Sequence, residues 1–160
     1  MSDTLPPDVR PRAVAAVELI LDVTYVATSL VGSDLETMLI YFCVAEATMR
    51  PLMSSREANP EAFHMTRPPE ELRGSISRLA IADRTGLPRE TVRRKVNALI
   101  KAGMLSKDED KRVRATPTLG EPRVQTSVND VFQAVQRYRA RLRELGVSDE
   151  PAPTKSGEKT

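Results

Sequence analysis

The chain has 160 residues, enough for one compact domain or a small domain with helical extensions, and its apolar content of 40% supports a core. With aromatics at 4% and no Trp that core must be largely aliphatic, and the single cysteine, Cys43, excludes an intrachain disulfide and fits a reducing compartment, the cytoplasm. The net charge of +2 hides an asymmetry: residues 1–66 hold 4 Lys/Arg against 9 Asp/Glu, residues 67–124 hold 14 against 8, and residues 125–160 hold 6 against 5, so the middle is expected to face a polyanion.

Residues 1–10 are polar and proline-containing, and the expectation is a flexible arm. The opening MSDTLPPDVRPR carries acids and prolines where a signal peptide needs a basic start and an apolar run. Pro11 suits a helix's first turn, and Ala13, Val14, Val17, Ile20, Leu21 and Thr24 follow at helical spacing up to Val31, with Gly32 as the left-handed cap. Glu18 and Asp22 interrupt this apolar stretch, so it is read as no membrane span. Ser33-Asp34-Leu35-Glu36 matches a capping box, in which Ser and Glu satisfy each other's free amides. The second helix takes in Leu35, Met38, Leu39, Phe42, Cys43, Glu46 and Met49, and is expected to stop at Arg50 because Pro51 disfavours helix before it. Residues 11–66 thus form an N-terminal helical region for dimerisation or effector binding. The proline-rich connector from 51 to 70 leaves room for a short helical turn around Glu61–Met65.

Residues 67–124 form the basic module. Ser77 can cap a helix beginning at Arg78, and Leu79, Ala80, Ile81 and Ala82 supply its packing. Gly86 allows the positive φ of a tight helix–helix turn, and Ala82 lets the two helices cross closely. Pro88 opens a helix running to Ala102. Val92, Val96, Leu99 and Ile100 fall at i, i+4, i+7 and i+8 on one buried stripe. At about 100° per residue, Glu90, Arg94, Asn97 and Lys101 point the other way, flanked by Arg89, Thr91 and Arg93. Arg and Asn there can make paired hydrogen bonds with base edges. Gly103 ends the helix, Met104-Leu105 starts a strand, and the charged tip 107–112 leads into a return strand around Val113. Gly74-Ser75-Ile76 is a candidate third strand.

This stretch resembles the winged helix-turn-helix module of bacterial regulators of the MarR and IclR kind. The residues that carry the likeness are Leu79-Ala80-Ile81-Ala82, Thr85-Gly86-Leu87-Pro88-Arg89-Glu90-Thr91-Val92 and Leu99-Ile100-Lys101-Ala102-Gly103-Met104-Leu105, within about 45 of the 160 residues. The resemblance implies a mainly α fold with a small β wing, a winged helix-turn-helix flanked by N-terminal and C-terminal helices. It implies that the positions matching Arg89 to Arg94 enter a major groove of double-stranded DNA. The DNA-facing set is then Ser77 and Arg78 on the first helix, Pro88, Arg89, Glu90, Thr91, Arg93, Arg94 and Asn97 on the second, and Lys107, Lys111, Arg112 and Arg114 on the wing. Asp108-Glu109-Asp110 departs from a purely basic wing, which suits backbone contact better than deep minor-groove insertion.

A C-terminal helix over 125–146 is signalled by Ser127-Val128-Asn129-Asp130 and closed by Gly146. Val128, Val131, Val135, Tyr138, Leu142 and Leu145 repeat at 3-4-3-4-3, a heptad seam that favours a homodimer, with intramolecular packing as the alternative and helix one as the other interface. Residues 147–160 are expected to be a disordered tail, since the run SDEPAPTKSGEKT lacks large apolar groups. His64, the single histidine, has no ligand partner nearby, so no metal site, cofactor or catalytic triad is expected and the chain is read as no enzyme. Cys43, Met38, Met49, Met53 and Met65 are assigned to packing, with an effector pocket between the N-terminal helices left open. The alternatives are a protein-interaction adaptor on the same scaffold and a non-specific architectural DNA-binding protein.

Overall fold

The computed structural model describes residues 4–32 and 34–147. It is mainly helical with one small antiparallel sheet. In chain order the elements are α1 (Val9–Val31), α2 (Leu35–Ser54), α3 (Pro60–Phe63), a 3₁₀ turn (Glu70–Leu72), α4 (Arg78–Thr85), α5 (Arg89–Lys101), β1 (Leu105–Lys107), β2 (Val113–Ala115) and α6 (Pro122–Glu144). They divide into two compact units: Ala27–Thr126, and the chain up to Val26 together with the chain from Ser127.

In the first unit α2 packs on α4, α5 and the hairpin. Ile40 and Val44 of α2, Ile76, Ile81 of α4, Val92 and Val96 of α5, and Val113 of β2 are no more than 5% exposed. Burial of such side chains stabilises by about 1.5–3 kcal/mol each. β1 pairs with β2 in the register Leu105–Ala115, Ser106–Arg114, Lys107–Val113. The candidate third strand is a single bridge: Ile76 exchanges both backbone hydrogen bonds with Val113 at 2.8 and 2.9 Å.

Several boundaries differ from the sequence expectation. Helix α1 starts at Val9, inside the expected arm, with Pro11 in its first turn. Asp34 is the N-cap of α2, its Oδ1 accepting from the Glu36 amide at 3.2 Å; the Ser33 half of the expected capping box lies outside the described residues. Helix α2 continues through Pro51 to Ser54. Proline removes the bond that Ala47 would accept from position 51, and the backbone of Gly74 packs against that carbonyl so closely that a Cβ there would collide with it. Gly74 also donates its amide to Thr48 O at 2.9 Å. Helix α6 begins at Pro122, five positions before the expected signal, because proline fits a helix's first position. The tail from 148 lies outside the described residues, whereas Val147 is buried beside Leu142.

The exposed face of α2 also departs from expectation. Met38 is buried, but Leu35, Leu39, Phe42, Met49 and Met53 are exposed, as is Met65, because Ile40, Val44 and Thr48 form the packed side of that helix. Leu79 is likewise exposed, and Cys43 packs partly buried against the core.

The second unit has little interior. Ala15 of α1 packs with Tyr138 and Leu142 of α6 and with Val147. Arg137 and Arg141 of α6 reach Asp22 at 2.8 Å and Glu18 at 3.4 Å. Beyond that patch Val14, Val17, Ile20 and Leu21 of α1 and Val128, Phe132 and Val135 of α6 stay exposed. By length and composition alone, α1 is long and apolar enough to cross a membrane, with a mean hydropathy of 1.8. Glu18 and Asp22, the two acids that interrupt this stretch, are both paired with arginines.

Candidate nucleic-acid interface

The site is built on the α4–turn–α5 unit. Ser77 Oγ accepts from the Ala80 amide at 3.1 Å and starts α4. Thr85 Oγ1 donates to Ile81 O at 2.7 Å, and Gly86 ends the helix at φ 71°, where a side chain would be strained. Pro88 is the N-cap of α5, its carbonyl accepting from Val92 at 3.0 Å. Val92, Val96 and Leu99 hold one side of α5 in the core, which leaves Glu90, Arg94, Asn97 and Lys101 on the solvent side. The expected bounds and facing of this helix therefore agree with the structure.

The charged side chains on this surface fall into two groups. Among the described residues, no hydrogen bond or ion pair engages the side chains of Arg89, Arg94, Lys101, Lys107 and Lys111, all of which are exposed. They are cations available to an external anion. The others are held. Glu90 grips Arg93 through two bonds, Nε at 2.8 Å and Nη2 at 2.6 Å. That hydrogen bond keeps the Glu90 carboxyl below its ordinary value and ionised at neutral pH. In this arrangement Glu90 supports an arginine. Arg78 donates to Asn97 Oδ1 at 2.8 Å, so these two candidates tie α4 to α5 across the turn. Ser77 is occupied as a cap, and Thr91 is half-buried beside Pro88.

The hairpin shows the same division. Asp108 Oδ1 accepts from the Arg112 amide at 2.8 Å and closes the tip, and the Ser75 hydroxyl followed by that amide holds its carboxyl below the usual range. Part of the acidic tip is therefore turn chemistry. Lys111 sits at φ 59°, an uncommon backbone for a residue with a Cβ, and its side chain projects outward from the turn. Arg112 leans back onto Ser75, with Nε at 3.2 Å from the hydroxyl and Nη2 at 3.1 Å from the carbonyl. Arg114 is a correction to the candidate set: its side chain is 14% exposed and paired with Glu70, with Asp108 at 3.7 Å. Strand alternation turns it toward the connector, where an inward arginine needs acids beside it.

No family model matches the chain, and neither a curated protein nor a solved structure resembles it significantly.

Two residues escaped the sequence reading. Arg73 is nearly buried and donates to Ala115 O at 2.6 Å, which fastens the connector to β2. Lys95 is buried on α5, where Asp34 accepts a hydrogen bond from its ammonium and Glu36 lies at 3.3 Å. That hydrogen bond pulls the Asp34 carboxyl down to about 2 and raises Lys95. The signal available in the sequence was that Lys95 shares the stripe of Val92 and Leu99 at i+3 and i−4, a position where a charge requires a partner.

The expected seam of α6 divides along its length. Tyr138 and Leu142 pack with Ala15 of the same chain, which is the intramolecular alternative, whereas Val128 and Val135 are exposed and Val131 and Leu145 are half-buried. Phe132, absent from the candidate seam, lies beside Val128 and Val135 on the exposed side.

Proposed function

We propose that the chain is a DNA-binding transcriptional regulator whose α4, α5 and hairpin act as a winged helix-turn-helix. The observation that carries this is the outward face of α5. Arg94 stands unpaired at its centre, Arg89 stands unpaired at its N-terminal end, and Arg93 is fixed between them by Glu90. An α-helix fits the major groove, and an arginine presented from such a face can bond the O6 and N7 of guanine. Lys101, Lys107 and Lys111 supply charge for phosphates on either side, a sequence-independent contribution to affinity.

The protein acts as a homodimer in this reading. The support is the second unit, where Val14, Val17, Ile20 and Leu21 of α1 and Val128, Phe132 and Val135 of α6 lie in water in a single copy. Exposed apolar patches of this kind mark contact surfaces, and two reading helices suit a two-fold symmetric site. A second reading seats α1 in a membrane, favoured by its hydropathy. The ion pairs of Glu18 and Asp22 with Arg141 and Arg137 favour the dimer, because lipid would have to solvate both pairs.

Selection of bound sequences from a random duplex pool tests the proposal. An enriched two-fold symmetric motif is the expected result. Binding without enrichment would support the architectural alternative, and no binding at low salt would favour an adaptor. Sedimentation of the protein with and without lipid vesicles separates dimer from membrane seating.

A further inference from the structure

We infer that Lys95 is a positioning residue for recognition, which sets the orientation of α5 on DNA through a clamp at the start of α2 without touching DNA itself. The inference rests on the reading of α5 as the recognition helix.

The clamp is built from residues far apart in sequence. Lys95 occupies the border of the buried stripe of α5, about 100° around the helix from Arg94. Its side chain is 9% exposed. The ammonium donates to Asp34 Oδ2, and it lies 3.4 Å from Thr37 Oγ1 and 3.3 Å from Glu36 Oε2. Asp34 is itself fixed. Its Oδ1 caps α2 on the Glu36 amide at 3.2 Å, and its Oδ2 accepts from the Thr37 hydroxyl at 2.5 Å. Three neighbouring groups of the first turn of α2 therefore converge on one cation of α5.

This arrangement differs from the apolar contacts around it. Val92, Val96 and Leu99 prevent α5 from leaving α2, but apolar packing is non-directional and permits small rotations and slides. A charge-assisted hydrogen bond fixes direction as well as distance. Arg94 follows in its consequences: a rotation of α5 moves its long side chain by far more than it moves the axis. A paired contact to a base edge tolerates little such movement, whereas phosphate contacts tolerate it well. The clamp thus acts on sequence discrimination and leaves general affinity nearly unchanged.

The test uses full-length protein and three variants. Lys95→Met keeps the apolar stem and removes the charge, Lys95→Arg keeps the charge, and Glu36→Gln loosens one side of the clamp without removing the cap. Each is titrated against the motif selected by the wild type and against random duplex, with thermal unfolding recorded in parallel. Lys95→Met is expected to lower the ratio of specific to random binding by about tenfold, the size of one disturbed base contact. Lys95→Arg is expected to restore most of that ratio and Glu36→Gln to lower it less. Equal losses on both DNAs, or an unchanged ratio in folded Lys95→Met, would overturn the inference. If Lys95→Met does not fold, an unchanged ratio in Glu36→Gln together with failure of Lys95→Arg to discriminate overturns it. Failure of the wild type to select any sequence would instead remove the reading beneath it.

Discussion

The two units of this chain bury their apolar side chains to very different extents. From Ala27 to Thr126, side chains from α2, α4, α5 and the hairpin close on one another, and Ile40, Val44, Ile81, Val92, Val96 and Val113 have no contact with water. In the other unit Ala15, Leu142 and Val147 are the buried apolar residues of the cluster, and most large aliphatic residues of α1 face solvent. The first unit closes a core as a single copy, although Leu35, Leu39, Phe42 and Met53 of α2 stay exposed on its surface. The second leaves Val14, Val17, Ile20 and Leu21 of α1 and Val128, Phe132 and Val135 of α6 exposed. A hydrophobic residue in sequence thus has two destinations, its own core or another molecule, and helical periodicity is the same for both.

That contrast can be broken most strongly in the closed unit. Ile81→Ala is expected to destabilise it by about 2–5 kcal/mol, since the methyl groups lost leave a cavity that fixed neighbours cannot fill; urea unfolding gives the value. A loss below about 1 kcal/mol would mean that neighbouring side chains relax into the space Ile81 leaves.

Leu21→Glu addresses the open unit. It is expected to change the unfolding free energy of a single copy within about 0.5 kcal/mol, because the side chain is already exposed. It should nevertheless abolish the proposed dimer in sedimentation at micromolar concentration. A stable dimer in this variant would move the interface elsewhere, and the remaining exposed stripe of α6 would be next to change.

Arg94→Ala compares the free and held arginines. It should weaken binding to the selected motif by about 1–3 kcal/mol, with a smaller effect on random DNA. Arg114→Ala should leave discrimination alone, since its guanidinium faces Glu70 and Asp108. Equal effects of the two in DNA titrations would erase the distinction.

Acid sharpens the comparison further. Asp34 has its carboxyl at about 2 in the folded chain against an ordinary 3.8. Because the folded value is the lower one, the stabilisation is complete above the ordinary value and fades as pH falls toward 2. Lys95→Met should flatten the stability profile over that interval, as followed by circular dichroism. The smallest effect is expected at Lys111, whose φ of 59° strains a residue with a Cβ. Lys111→Gly should stabilise the hairpin by about 0.5–1 kcal/mol while lowering the salt slope of DNA binding by about one. Such a result would separate the turn's backbone from its charge.

Local chemistry in the sequence determined the central part of the molecule. Ser77 as a cap, Gly86 at a left-handed turn, Pro88 before α5 and the spacing of Val92, Val96 and Leu99 are short-range signals, and the structure follows each of them. The outward facing of Arg94 and Lys101 follows from that spacing alone. Tertiary structure decided which charges remain available. Arg114 and Arg94 are alike in sequence, yet one meets Glu70 across 44 positions and the other meets solvent. Lys95 meets Asp34 across 61 positions, a pairing that no window of sequence contains. It also decided the surroundings of Pro51, which stays inside α2 with Gly74 close against the carbonyl that proline leaves unbonded. Periodicity tells which side of a helix is apolar, and only the packed chain tells what that side touches.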